Sequence, residues 1–287
     1  MSQEPLDSTP TASGCRTERP RRGDTAQEPQ QAGIELRNRQ LAHACVARAQ
    51  DVLIDRYRLT SPQEAFDLLR RTSQRLNLKL HTLADAVIRV PGPDADAELW
   101  FPGRTRYSPP PLPDGVAEEA GDASHGAVLK GTLRRVLHVT QAGMGNVQLA
   151  ECGMLRLEKH TGLSREFTEF FAFVEDSTTA CGRAVSESRQ VTVKDMAVTD
   201  VLDDDSRRAV LRAGSRACHS VPLAVRGGPV LGVVSSHHEL PLVGFTRAQL
   251  SELDAVGRQV GRWLAWHRHT RVLDALEYLH AAATAGG

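Results

Sequence analysis

Between Pro91 and His125 the chain carries seven of its fifteen prolines, among them the run Pro109-Pro110-Pro111-Leu112-Pro113. Proline lacks an amide hydrogen and has a fixed φ, so neither a long helix nor a central strand can pass through such a stretch. The same segment holds seven acidic residues against two arginines, and like charges extend a chain further. Residues 92–125 are therefore expected to form a semi-rigid, partly polyproline II linker, with a separate folded body on either side. A length of 287 residues leaves room for about two domains at roughly 100–200 residues each.

The first body is helical. Residues 34–90 contain no glycine and one proline, with ten Lys and Arg against six Asp and Glu, the composition of a mildly basic helical module. Leu41, Cys45, Val52, Leu53 and Ile54 recur at three- and four-residue steps and predict a helix from about Glu35 to Tyr57. Ser61-Pro62-Gln63-Glu64 predicts the next start, with a hydroxyl N-cap, proline at the first helical position and a glutamate placed for a capping box. Leu80, Leu83, Ala84, Val87 and Ile88 predict a third helix ending before Pro91. Three short helices make a thin core, so a partner is expected to complete it, most simply by self-association of the first helix. Residues 1–33, with four prolines and almost no large apolar side chains, are expected to stay disordered.

Three stretches of this module carry a family likeness. They are Val46-Ala47-Arg48-Ala49-Gln50-Asp51-Val52-Leu53-Ile54-Asp55-Arg56-Tyr57, Ser61 to Gln74 (SPQEAFDLLRRTSQ) and Leu83-Ala84-Asp85-Ala86-Val87. Residues 34–91 thereby resemble an ANTAR domain, the three-helix RNA-binding module of bacterial antitermination regulators. The resemblance implies dimeric recognition of paired hairpin loops in nascent transcripts. Arg48, Arg56, Arg70, Arg71, Arg75 and Lys79, with Gln74 and Asn77, are the expected RNA contacts: cations for phosphate, amides for loop bases. Gln50 and Asp51 depart from the lysine–glycine step usual in the family, which removes one attraction to phosphate and adds a repulsion. Simple solvated helix faces and a DNA-binding helix-turn-helix are the competing accounts of the same arginines.

The second body, about residues 126–270, alternates strand-like and helix-like stretches. A hairpin is expected at Gly153, a strand–turn–strand unit around Arg226-Gly227-Gly228, and a long helix after a second capping box formed by Thr246 and Gln249. The expected fold class is thus α plus α/β: a three-helix bundle, a proline-rich linker and an antiparallel sheet flanked by helices. The order, with Met144-Gly145-Asn146-Val147-Gln148-Leu149, Thr178 to Val185 (TTACGRAV), Val191-Thr192-Val193-Lys194-Asp195 and Ser220-Val221-Pro222-Leu223, resembles a GAF domain. The resemblance implies a small-molecule sensor that pairs through terminal helices, and its ligand is unidentified. Cys181, Asp195, His219, Ser235 and His237 are the expected pocket residues. Residues 271–287 are expected to be a helix end and tail.

Several classes are disfavoured at this level. With 35 Lys and Arg against 35 Asp and Glu, no uniform basic coat exists to hold nucleic acid by bulk charge. The start carries no apolar leader and no run of about 18 apolar residues occurs, so a cytoplasmic protein without membrane association is expected. Five widely spaced cysteines without a CxxC pair point to a reducing compartment, with neither a disulfide framework nor a zinc site. No metal is expected on His219, His237 and His238, which lack ligand spacing. A thiol enzyme of the GAF fold is the least favoured alternative, behind an interaction module that has lost RNA binding.

Overall fold

The computed structural model describes residues 24–93, 97–120, 124–175 and 178–285. Helices α1 (Asp24–Tyr57), α2 (Pro62–Arg75) and α3 (Leu80–Arg89) come first. α1 begins inside the stretch expected to be disordered, whose residues 1–23 lie outside those described. Extending a helix that is already nucleated needs no core of its own, which composition alone does not register. α2 starts at the expected cap, with the Ser61 hydroxyl accepting the Glu64 amide at 3.3 Å. The Glu64 carboxylate reaches past Ser61 and accepts from the Thr60 amide and hydroxyl at 2.8 and 2.9 Å.

After the short α4 (Ala117–Ala120) and α5 (His125–Thr140) come β1 (Met144–Glu151), β2 (Met154–Thr161), α6 (Arg165–Phe170), β3 (Phe173–Val174) and α7 (Ala180–Ser186). β4 (Val191–Val193), α8 (Asp204–Arg212), β5 (Ala217–Ala224), β6 (Val230–His238) and α9 (Arg247–His267) complete the second body. The strands form one antiparallel sheet in the order β3-β2-β1-β6-β5-β4. Strand alternation divides its residues between two faces. Val147, Leu149, Val221, Leu223 and Val234 pack against α5 and α9, while Cys218 and Val233 meet Phe167, Phe171, Ala184 and Val210 on the other side. The long helix lies directly on β5 because it offers no side chain there: a Cβ at Gly257 would sit 2.6 Å from the Pro222 carbonyl oxygen.

α9 does not end the chain's ordered part. It runs through a π-helical turn (Arg268–Val272) into α10 (Leu273–Thr284), and α10 packs into the N-terminal bundle. Val272, Ala275, Leu276 and Leu279 share one core with Ala49 and Leu53 of α1, Leu68 and Leu69 of α2, and Leu83 and Val87 of α3. The segment expected to be a tail is therefore the bundle's fourth helix, and it supplies the apolar face that the three short helices lack.

The linker also folds back. Trp100 enters the same core, its indole N–H donating to the Pro91 carbonyl at 2.8 Å. The Glu277 carboxylate of α10 accepts the Trp100 and Phe101 amides at 3.1 and 3.0 Å, and Arg104 and Arg106 pair with Asp274. Residues 97–106 are thus a strap bound to α10 rather than a free spacer; an acidic, proline-rich composition conceals a single well-placed tryptophan.

A disulfide joins Cys45 on α1 to Cys152 in the β1–β2 turn, with Cα atoms 6.1 Å apart. This overturns the expectation of unpaired cysteines. Sequence spacing gave no hint of it, since the two are separated by 107 residues and lie in different halves of the chain. Among the described residues no helix is long and apolar enough to cross a membrane.

Truncating Leu276 to alanine should destabilise the N-terminal bundle by about 2–5 kcal/mol through lost burial and cavity formation. Urea unfolding followed by circular dichroism checks this; a change of only a few tenths would mean that α10 is not part of the core.

Candidate nucleic-acid face and ligand cavity

The eight expected RNA contacts do not share one environment. On α2 the buried positions are Ala65, Leu68, Leu69 and Thr72, which leaves Arg70, Arg71, Gln74 and Arg75 exposed on the opposite side. Arg70 and Gln74, and Arg71 and Arg75, are each four residues apart and form two adjacent rows. Arg70 pairs with Asp67 at 3.0 Å, whereas Arg71 and Arg75 have no ion-pair partner within 4 Å among the described residues. Arg48 is exposed on α1, two positions before Gln50, whose amide donates to the Pro62 carbonyl at 2.7 Å.

The remaining three are engaged elsewhere. Arg56 is half-buried, its guanidinium carbon 4.6 Å from the centroid of the Trp100 ring. A cation over an indole face is a packing contact as much as a charge. Lys79 pairs with Glu158 of β2, and Asn77, with φ of 51°, turns the chain between α2 and α3 beside a cavity that includes Arg106, His125 and Trp266. Spacing along a helix predicts which residues are exposed but not which loop folds over them.

On the sheet face away from α5 and α9 lies a small cavity of about 30 Å³. Its polar wall comes from alternating positions of three strands: Asn146 and Gln148 of β1, Ser220 of β5, Ser235 and His237 of β6. Phe167, Phe171, Thr179 and Cys181 close it from the helices. His237 lies 3.2 Å from Asn146 Oδ1 and 2.9 Å from the Ser215 hydroxyl, and Ser220 and Ser235 share a hydrogen bond of 2.8 Å. The Gln148 amide donates to the Phe171 carbonyl at 3.1 Å, yet its Oε1 has no hydrogen-bond partner among the described residues. A cavity of this size holds about one or two water molecules, so a larger occupant requires the α6–α7 wall to move.

Cys181, Ser235 and His237 therefore line the cavity, and two other expected pocket residues do not. His219 is one step out of phase on β5 and faces the opposite side, between Thr192 Oγ1 at 2.8 Å and Gln190 Oε1 at 2.9 Å. Asp195 follows β4 and forms a bidentate pair with Arg216, which holds its carboxyl below the usual carboxylate range. The missed residues, Asn146 and Gln148, had a signal: polar side chains at period two in an otherwise apolar strand. Burial pushes the Cys218 thiol well up, which argues against nucleophilic use of that sulfur.

Where the two bodies meet, His81 of α3 lies 2.5 Å from Glu151 Oε2 and 3.3 Å from Glu158 Oε1. These three present metal-ligand atoms within 4.8 Å of one another. The carboxylates are already paired, Glu158 with Lys79 and Arg156 and Glu151 with Thr82, so the group fits an interdomain ionic network better than a cation site. Burial pushes the Glu151 carboxyl up, but hydrogen bonds from His81 and Thr82 outweigh this and hold it below the ordinary value.

Comparison with known proteins divides the chain as the structure does. The family model for the ANTAR domain matches residues 35–88 and that for the GAF domain residues 124–263. No curated protein matches the chain. Among solved structures, a GAF domain/HD domain protein from Geobacter sulfurreducens is 15% identical with a TM-score of 0.43, covering 51% of this chain and 95% of that one. The GAF domain of an Acinetobacter phosphoenolpyruvate-protein phosphotransferase is 17% identical with a TM-score of 0.44, covering 54% and 90%. Free methionine-R-sulfoxide reductase from Neisseria meningitidis is 17% identical with a TM-score of 0.43, covering 53% and 85%.

Three buried histidines and the half-buried His125 give the fold a pH signature. Burial pushes His125, His219 and His237 down to about 4, and burial together with the neighbouring His125 pushes His267 to about 3. Each is neutral in the folded chain and titrates near 6.5 when unfolded. Their stabilising contribution is complete above pH ~6.5 and is lost as pH falls towards ~4. Unfolding free energies from urea titrations between about pH 7.5 and about pH 5 should decline by on the order of 1–2 kcal/mol per histidine; a flat profile would show that the rings are solvated.

Proposed function

We propose that this chain, an ANTAR domain followed by a GAF domain, is a signal-responsive transcription antitermination regulator acting in the cytoplasm as a homodimer. The observation that carries the RNA reading is the exposed face of α2, where Arg70, Arg71, Gln74 and Arg75 stand together opposite the buried Leu68 and Leu69. Guanidinium groups with a neutral amide between them suit a phosphate backbone with splayed loop bases. Arg48 extends the same chemistry onto α1, while Arg56, Lys79 and Asn77 have second roles in packing.

The sensing reading rests on the cavity. A Gln148 oxygen without a partner among the described residues and a pair of serine hydroxyls offer hydrogen bonds to a small polar ligand of unknown identity. Admitting it displaces Phe167, Phe171 or Cys181 on the α6–α7 wall. The route to the RNA-binding half is physical: α9 lies on the sheet, and its continuation α10 fills the core between α1, α2 and α3. A shift of α9 on β5 therefore tilts the bundle's fourth helix. Dimer geometry would then set the distance between two α2 faces.

A gel-shift assay with paired hairpin RNAs over a salt series tests this. The Arg70→Ala/Arg71→Ala double variant should lower the slope of log affinity against log salt by about 1–2. Arg56→Ala should leave that slope unchanged and instead cost roughly 0.5–2 kcal/mol of stability. Absence of RNA binding at low salt, or a slope untouched by the double substitution, defeats the proposal. Competition by duplex DNA would point to the helix-turn-helix alternative.

A further inference from the structure

Cys152 occupies the first position of the two-residue turn between β1 and β2, with φ of 51°, followed by Gly153 at 84°. Left-handed backbone at this position favours Asn, Asp or Gly, so turn geometry supplies no reason for a cysteine. What the position does is hold the thiol against Cys45 in the middle of α1, at a Cα separation of 6.1 Å that suits a disulfide.

The bond crosses an interface that is otherwise polar. Asp85 accepts the Cys152 amide at 2.9 Å, Arg268 donates to the Ala150 carbonyl at 2.6 Å, His81 and Thr82 meet Glu151, and Lys79 meets Glu158. An interface of polar contacts without a large apolar surface leaves the joined domains able to move relative to one another. The chain itself crosses between the sheet and α10 through the π-helical turn Arg268–Val272, a geometry at which helices kink. The π-helical turn thus lies on one side of the interface and the disulfide on the other. A cavity of about 390 Å³ lined by Cys152, Gly153, Asp85, Arg89 and Arg268 adjoins the bond. It admits a small thiol to Cys152, while Cys45 is buried.

We propose that Cys45 and Cys152 form a reversible thiol–disulfide clasp, through which low-molecular-weight thiols and disulfides set whether the ANTAR bundle is held against the GAF sheet. For opening, the thiolate of a small thiol attacks Cys152 Sγ; the disulfide breaks, and its electron pair leaves on Cys45 Sγ, which takes up a proton. A second small thiol attacks the mixed disulfide, releasing the Cys152 thiolate, which is protonated in turn. Two small thiols are oxidised to one disulfide while the protein bond is reduced to two thiols, and closing is the reverse exchange. In a reducing compartment a disulfide serves as a transient sensor rather than a staple. Resting on the RNA-binding reading above, the clasped form is the weaker binder, because it keeps Lys79 on Glu158.

The test uses the full chain equilibrated in buffers of reduced and oxidised glutathione, then acid-quenched, alkylated and mapped by mass spectrometry without reduction. Hydrogen exchange is followed over residues 79–89 and 148–158. A linked Cys45–Cys152 peptide is expected on the oxidising side, and exchange in both segments at least about fivefold faster on the reducing side. Cys152→Asn, which suits the turn, should exchange at the reduced rate in both buffers. Absence of the linked peptide at every ratio, or equal exchange in the two states, overturns the clasp. Hairpin RNA affinity on the same samples should be at least about fivefold higher for the reduced chain and independent of buffer for Cys152→Asn. Equal affinity in both states overturns the coupling to RNA. No RNA binding in any state defeats the antitermination reading alone, and the exchange rates still judge the clasp.

Discussion

Burial of one apolar helix face governs how this molecule is assembled. α1, α2 and α3 each carry a stripe that three helices cannot cover among themselves, and Val272 of the π-turn with Ala275, Leu276 and Leu279 of α10 cover it. Because α10 continues from α9, the N-terminal bundle is completed by the last helix of the C-terminal half. The two halves are separate in sequence and composition, yet they share a core. Any movement of α9 on the sheet is felt in that core, since packed interiors at crystalline density have little slack to absorb it.

The linker contributes to the same end. Trp100 fills the bundle's flank, Arg56 lies over its ring, and Glu277 anchors two linker amides to α10. A strap so fixed cannot act as a flexible tether, so coupling between the halves runs through packed helices and an ionic interface. That interface is held by His81, Glu151, Glu158 and Lys79 on one side. The π-turn that begins at Arg268 lies on the other.

The C-terminal half combines a tight cavity with well-paired polar groups. Most of the hydrogen-bonding capacity around the cavity is satisfied internally, as in the Asn146–His237–Ser215 chain; among the described residues that line it, Gln148 Oε1 is an exception. A buried oxygen without a partner is costly, and a bound ligand that donates to it would recover that cost. Cys218 of β5 lies on the same sheet face, where burial raises its thiol and favours packing over chemistry.

Local order was legible in the sequence wherever it depends on neighbours along the chain. The caps at Ser61 and Thr246, the turn at Gly153, the helical stripe of α2 and the alternation of β5 and β6 follow from side-chain size, hydroxyl placement and period, which act over a few residues. The exposed row of Arg70, Arg71, Gln74 and Arg75 belongs to that class. What only the tertiary structure decided are relations over long separations: α10 in the bundle, Trp100 over Arg56, Cys45 against Cys152, and His219 and Asp195 turned away from the cavity. Each depends on which surfaces two distant segments bring together, and that is set by global burial, which no local pattern of residues encodes.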